Sequence, residues 1–157
     1  MGTILFNQEP NTGLLSQKTY FDRSGQKIRQ ESYSYDEMGR LTHKKQKTFS
    51  GACGSKVDAQ YFYFYDGRLP NRRHIPGQLG SLSAVQGPDY FKEMTYGNDG
   101  QITHSELKVQ NGPRVKTDFT YRADGVLQEK KIQVDGQGTL RQNLASRSRI
   151  PLVSTRG

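Results

Sequence analysis

The sequence is poor in apolar residues, in cysteine and in long hydrophobic runs. Only 32% of its 157 residues are hydrophobic, below the usual ~45–50% of a globular domain even after allowing for glycine, so any core must be thin. No stretch approaches the ~18 consecutive apolar residues that a membrane-spanning helix needs. A single cysteine, Cys53, excludes an internal disulfide framework and a cysteine-rich zinc site. Residues 1–15 lack the basic start and apolar centre of a secretory signal.

Basic charge is in excess. The chain has 23 Lys and Arg against 15 Asp and Glu, a formal net charge of +8. Residues 141–157 contain four arginines, no acid and no hydrophobic periodicity. We therefore expect a single domain over residues 1–140 and a basic flexible tail over residues 141–157. The net charge by itself predicts only nonspecific attraction to polyanions.

One short pattern recurs along the chain. Residues 32–41 (SYSYDEMGRL), 93–102 (EMTYGNDGQI) and 118–127 (DFTYRADGVL) align without gaps. In each copy, large apolar or aromatic residues lie six and four positions before the glycine, and an aliphatic residue lies two positions after it. Residues 131–140 repeat the pattern around Gly138, and two weaker copies surround Gly25 and Gly67. Such self-similarity is typical of proteins built from stacked repeats.

The repeat has the period of a β-strand, because apolar residues two apart share one face of a strand. Asp, Asn or Ser followed by Gly then indicates a tight turn. The sequence therefore predicts an all-β fold, an antiparallel meander of repeated β-hairpins with roughly nine to twelve strands that forms one twisted sheet or an open half-barrel. Residues 70–89, which contain Pro70, Pro76 and Pro88, are interpreted as a long loop or flap.

Few residues are placed for catalysis. Six of the nine aspartates fall at repeat turns, where capping of backbone amides explains them. His43 and His104 occupy matching repeat positions, so neighbouring strands could bring them together, but no short-spaced cluster completes a metal site. Cys53 has no identifiable histidine partner for nucleophilic chemistry. We predict no catalytic residue, no metal site and no cofactor.

The segment 61–65 alternates tyrosine and phenylalanine. In a strand it places three tyrosines on one face and two phenylalanines on the other, which we expect to be core. Tyrosine rings with hydroxyl tips stack on sugars, bases or a partner protein, although the same rings would also cover the sheet against the flap or a second layer. With the basic residues that follow, the candidate binding residues are Tyr61, Tyr63, Tyr65, Arg68, Arg72 and Arg73.

Residues 33–42 (YSYDEMGRLT) resemble the YD (tyrosine-aspartate) repeat of bacterial Rhs proteins and the related teneurin barrels. Residues 61–69 end in a similar YDGRL with a shortened turn, and the later copies keep the strand and glycine without the Tyr-Asp dipeptide. The resemblance covers residues 19–140. It implies a β-shell that encloses a toxic domain or serves as an extracellular spacer, although this chain is far too short to close such a shell.

The leading hypothesis is a noncatalytic binding or scaffold module of a bacterial toxin, surface or secretion system, with a protein or carbohydrate partner. The resemblance implies a secreted or cell-surface location. One alternative is a small enzyme with a pocket beneath the 70–89 flap that uses His43, His104 or a strand tyrosine as acid or base. Another is a nucleic-acid or polyanion binder. An uncovered sheet edge would favour pairing between copies.

Overall fold

The chain forms one antiparallel sheet in a computed structural model that describes residues 2–50, 54–70, 73–135 and 137–144. Each of the eleven strands pairs with the next strand in sequence, which confirms the predicted all-β meander. The strands are β1 (Thr3–Gln8), β2 (Leu15–Phe21), β3 (Lys27–Tyr35), β4 (Leu41–Phe49), β5 (Ser55–Tyr65), β6 (Leu82–Gln86), β7 (Tyr90–Tyr96), β8 (Ile102–Val109), β9 (Arg114–Tyr121), β10 (Leu127–Val134) and β11 (Thr139–Asn143).

The sheet is open and does not curl towards a barrel. Its strand order is the chain order, so β1 and β11 form its two edges. Of the two predicted architectures, the open sheet is therefore the one that forms. The described part of the chain contains no helix, and so no helix that could cross a membrane.

A glycine turn recurs between the strands, as the repeat predicts. The left-handed φ angles lie between 75° and 81° at Gly25, Gly39, Gly100 and Gly125, a region that favours glycine. In the turn after β3, Oδ1 of Asp36 accepts hydrogen bonds from the backbone N–H groups of Met38 and Arg40, at 3.0 and 2.9 Å. The turn aspartate thus caps backbone amides, which is the structural role expected of it.

The core is thin because the sheet is a single layer. The buried apolar residues are Leu69, Ala84 and Met94. Polar side chains are buried as well, among them Glu31, Ser83 and Thr117. A sheet of this kind is stabilised by its backbone ladders and by pairs of side chains across neighbouring strands rather than by an apolar interior.

The connection between β5 and β6 is a flap folded back on the sheet. Its base is held by the N–H of Gly67, which donates to Oγ of Ser83 at 2.6 Å, and by the N–H of Ile75, which donates to the carbonyl of Gly67 at 2.8 Å. The predicted loop over residues 70–89 is too long, because Leu82–Gln86 forms strand β6. The prolines and glycines around this short strand obscure it in the sequence, but none of them lies within it.

The predicted tail also begins too early. Residues 139–143 form β11, whose five side chains are all exposed. The strand exists because its backbone pairs with β10, from Gln133 opposite Thr139 to Glu129 opposite Asn143. Such pairing needs no apolar side chain, so hydrophobic periodicity does not reveal it. Residues 145–157, the rest of the predicted tail, lie outside the described residues.

Candidate functional site: the tyrosine face of the sheet

All nine tyrosines lie on one side of the sheet, which we call the tyrosine face. Directly paired residues of antiparallel strands point to the same side, and Tyr61 pairs with Lys44, which in turn pairs with Tyr33. Following the register across the sheet gives the complete set: Tyr20, Tyr33, Tyr35, Tyr61, Tyr63, Tyr65, Tyr90, Tyr96 and Tyr121. Each is half-buried. The predicted alternation of segment 61–65 is confirmed, since Phe62 pairs with His43 on the opposite face.

Three of these tyrosines end their strands and tie them to the preceding strand. Each hydroxyl donates a hydrogen bond to the carbonyl of the first residue of the strand before: Tyr35 to Leu15 at 2.8 Å, Tyr96 to Leu82 at 2.8 Å, and Tyr121 to Ile102 at 2.9 Å. All three occupy the tyrosine position of the repeat, four residues before its glycine. The repeat tyrosine therefore has a structural function that its ring and hydroxyl serve together.

We expect Tyr96→Phe to lower the free energy of unfolding by about 1 kcal/mol, because it removes one hydrogen bond and keeps the ring. Urea denaturation followed by circular dichroism measures this loss. The matched control is Tyr61→Phe, since the Tyr61 hydroxyl has no hydrogen-bond partner among the described residues. Equal losses in both variants would contradict the assignment.

A buried carboxylate lies on the tyrosine face in strand β3, near the β1 edge of the sheet. Glu31 is 3% exposed and accepts hydrogen bonds from the hydroxyls of Tyr33 at 2.7 Å and Tyr20 at 3.2 Å. It also pairs with Lys44 at 3.2 Å and with Arg29. Burial would raise the pKa of Glu31, but hydrogen bonds from Tyr33, Arg29 and Lys44 outweigh it and lower the pKa to about 2. The carboxylate is therefore a fixed anion that organises its neighbours.

Cations lie against the rings around this carboxylate. In this part of the face the distances from a cationic group to a ring centroid are 5.2 Å for Arg29 over Tyr20, 5.6 Å for Lys18 over Phe6, and 5.9 Å for Lys18 over Tyr33 and for Lys44 over Tyr33 and Tyr61. Distances of this order allow cation–π attraction. Because three cations surround one carboxylate, this half of the tyrosine face presents flat rings in a positive field.

One arginine joins two neighbouring turns at the end of the sheet. The guanidinium of Arg40 donates to Asp36 at 2.8 Å and to both oxygens of Asp66 at 2.9 Å, and it lies 4.5 Å from the ring centroid of Tyr65. The hydrogen bonds from Arg40, with one from the backbone of Gly80, lower the pKa of Asp66 to about 2. Both aspartates thus act as hydrogen-bond acceptors within the turns, in the two copies that most resemble the YD repeat.

One of the predicted arginines, Arg73, does not lie with the tyrosines. Arg68 is exposed at the base of the flap, where its backbone pairs with that of His74. Arg73 lies 3.6 Å from Glu93, whose position opposite Ala84 places it on the other face of the sheet. Arg72 lies outside the described residues, as does Cys53. The flap therefore separates Arg73 from the tyrosine face, so the predicted binding set is divided between two faces.

A cavity of about 310 Å³ lies beneath the flap on that opposite face. Its lining residues are Leu69, Pro70, Arg73, Gln86, Phe91, Glu93 and Lys108. Neither histidine of the enzyme hypothesis is among them. His43 stacks on Phe62, with ring centroids 4.6 Å apart, and His104 lies 2.6 Å from Asp118. Since β4 and β8 are four strands apart, about 19 Å at the usual strand spacing, the expectation that neighbouring strands unite them is wrong.

The face opposite the tyrosine face is less buried than the prediction of a phenylalanine core requires. Phe62 is 38% exposed, so its assignment to a core is wrong; no second layer covers it in the described part of the chain. Residues 2–50, 54–70, 73–135 and 137–144 contain no group of three or more potential metal ligands.

Glu31 and Lys44 are among the members of this site that the predicted binding set does not contain. Alternation along β3 places Glu31 beside Tyr33 on one face, and this signal was present in the sequence. Lys44 reaches them only through the register of β3 against β4, which no local pattern specifies.

Comparisons with known proteins identify structures with a similar fold but no family. No protein-family model and no curated protein matches the chain. The Tc holotoxin pore of Photorhabdus luminescens, with a substitution in its TccC3 component, matches 90% of this chain with a TM-score of 0.56 and 15% identity. The complex TcdB2-TccC3-Cdc42 matches 90% with a TM-score of 0.55 and 15% identity. This chain spans only 8% and 9% of those two chains, and the likeness is one of fold.

Proposed function

We propose that this chain is a noncatalytic β-repeat scaffold module of a bacterial toxin-type assembly, and that it contacts a partner protein through its tyrosine face. The observation that carries the proposal is the collection of all nine tyrosines on one side of an open sheet. No second layer covers that side in the described residues.

The fold supports the toxin-related part of the proposal. The two Tc toxin structures share the fold of this sheet over most of the chain. The resemblance of residues 33–42 to the YD repeat of Rhs proteins comes independently from the sequence. Fold likeness alone does not assign a function, so the proposal depends on the surface that the sheet presents.

The chemistry of the face supports a protein partner. Tyrosine combines a large flat contact surface with a hydroxyl and is enriched in protein interfaces, as is arginine. On this face the rings lie beside Lys18, Arg29 and Lys44, and Glu31 forms ion pairs with Arg29 and Lys44. Because cations outnumber the carboxylate, we expect the partner surface to be acidic and to contribute apolar side chains that pack on the rings.

The test is co-expression of the tagged chain with the products of its flanking genes, followed by affinity measurement on any complex obtained. We expect Tyr63→Ala to weaken that complex at least tenfold, because it removes a central ring of the face. Phe62→Ala, the neighbouring residue on the opposite face, is the matched control and should leave the affinity unchanged. Circular dichroism of each variant verifies the fold.

A second variant keeps the test decisive if Tyr63→Ala fails to fold. Lys92 is exposed on the tyrosine face, where it pairs with Val85 and Leu107. We expect Lys92→Glu to fold and to weaken binding of an acidic partner. A complex that tolerates Lys92→Glu and Tyr63→Ala but is lost in Phe62→Ala would contradict the proposal.

A further inference from the structure

The edge strand β1 is exposed and unprotected. All six of its side chains are exposed, including Ile4 at 49%, Leu5 at 51% and Phe6 at 58%. Its sequence, TILFNQ, contains no charged residue and no proline, the devices that usually prevent a sheet edge from pairing further. Along one edge β1 is hydrogen-bonded to β2. No strand pairs with its other edge in the described part of the chain.

The opposite edge is different. Strand β11 places Arg141 opposite Lys131, and Gln142 opposite Lys130, so a strand added there would meet a concentration of positive charge. Such charged residues discourage edge pairing. The two edges of the sheet are therefore not equivalent, and β1 is the one suited to accept another strand.

The directions of the edge strands determine which edge of a second copy can pair with β1. The sheet has eleven antiparallel strands, an odd number, so β1 and β11 run in the same direction. Copies stacked head to tail would join β11 to β1 in parallel, unlike the ten existing pairings. A twofold axis perpendicular to the sheet instead joins β1 to β1 of a second copy in the antiparallel arrangement. We propose that two copies of this chain pair through β1 in this way.

The pleat and the side chains define the register. Paired residues must lie on the same face of the sheet, so the twofold axis must pass through a residue position of β1. Either Leu5 lies opposite Leu5 of the second copy, or the axis passes through another residue of the strand. With Leu5 on the axis, Ile4 lies opposite Phe6 of the second copy, and every apolar residue of the strand meets an apolar residue. Centring on Phe6 instead would place Ile4 opposite Gln8 and Leu5 opposite Asn7. The register centred on Leu5 therefore covers the exposed apolar surface best.

This dimer extends the sheet without changing its faces. The twofold axis joins the tyrosine face of one copy to that of the other, because Ile4 and Phe6 lie on the same side as Tyr20 and Lys18. Strand addition by six residues buries little surface, so we expect a weak and reversible dimer. Its formation does not depend on the partner proposed for the tyrosine face, and the two proposals fail separately.

Sedimentation velocity of the full chain over a concentration series tests the proposal. A monomer has a mass of 17.8 kDa, and we expect the weight-average mass to approach twice that value as concentration rises. Leu5→Lys should raise the dimer dissociation constant at least tenfold. The matched control, Leu140→Lys on β11, replaces a leucine that is 63% exposed and should leave it unchanged. A chain that stays monomeric at its highest soluble concentration, or one that responds to Leu140→Lys instead, would overturn the proposal.

Disulfide cross-linking tests the register. In a Cys53→Ser background, Leu5→Cys should form a covalent dimer under mild oxidation, because residues directly opposite in a ladder lie within disulfide range. Thr3→Cys and Asn7→Cys should each remain monomeric alone and cross-link when mixed. Faster cross-linking of Leu5→Cys with a Leu140→Cys chain than with itself would show head-to-tail pairing and reject the twofold arrangement.

Discussion

Glu31→Ala is expected to destabilise the protein by about 3–5 kcal/mol, the usual cost of removing one partner from a buried ion pair. The carboxylate is 3% exposed and holds Arg29, Lys44 and the hydroxyls of Tyr20 and Tyr33. Its loss leaves two cations and two hydroxyls without their acceptor in a part-buried site. Urea denaturation of the variant, compared with the unchanged chain, measures the effect.

The control for this variant is Glu37→Ala. Glu37 is exposed in the turn after β3, and a surface substitution of this kind usually changes stability by less than about 0.5 kcal/mol. Comparable losses in the two variants would show that the Glu31 contacts contribute nothing specific.

Acid should reproduce part of the Glu31 effect. The pKa of Glu31 is about 2 in the folded protein, below its ordinary value of 4.5. A depressed folded-state pKa means that this carboxylate stabilises the fold fully above about pH 4.5 and that the contribution, on the order of 3 kcal/mol, is lost as the pH falls towards 2. Glu31→Gln should therefore flatten the stability profile between those pH values. An unchanged acid profile in that variant would contradict the assignment.

The second large effect is expected at Gly67. This glycine is buried, has a φ of 75°, and lies so close to the flap that a Cβ would overlap the carbonyl oxygen of Ile75. Gly67→Ala should cost about 1–2 kcal/mol for the left-handed backbone and about 1–3 kcal/mol more for the overlap. We also expect faster proteolysis within the flap, because the bond from the N–H of Ile75 to Gly67 must break to relieve the contact.

Gly100→Ala separates the two costs. Gly100 has nearly the same φ, 77°, but nothing lies within 4 Å of the position its Cβ would take. It should therefore lose only the backbone contribution and leave flap proteolysis unchanged. If thermal denaturation showed the same loss at both positions, the close packing of the flap on Gly67 would be of no energetic importance.

The strands of the repeat copies could be predicted because their information is local. Alternation such as that of Tyr33 and Tyr35, followed by Asp36 and Gly39, specifies a strand and its turn within ten residues. The turn chemistry then appears as predicted, with the side chain of Asp36 capping the backbone N–H groups of Met38 and Arg40. Local patterns of this type determine a meander because each strand needs only its neighbours in sequence.

Features that depend on distant residues were missed or misplaced. Strand β6 is short and is flanked by segments that contain glycine and proline. It is stabilised by pairing with β5 and β7. Tyr61 and Arg73 lie on opposite faces, because the flap folds onto the face where Arg73 meets Glu93. No periodicity in the sequence specifies the face onto which the flap folds.

The sequence by itself determined the strands of the repeat copies, their glycine turns and the alternation that separates tyrosine from phenylalanine in segment 61–65. These follow from the backbone preferences of a few adjacent residues. Only the tertiary structure decided that the sheet stays open and that all nine tyrosines lie on the same face as the buried Glu31. The physical reason is that register and edge position arise from pairing between strands, and a strand does not carry its partner's register in its own sequence.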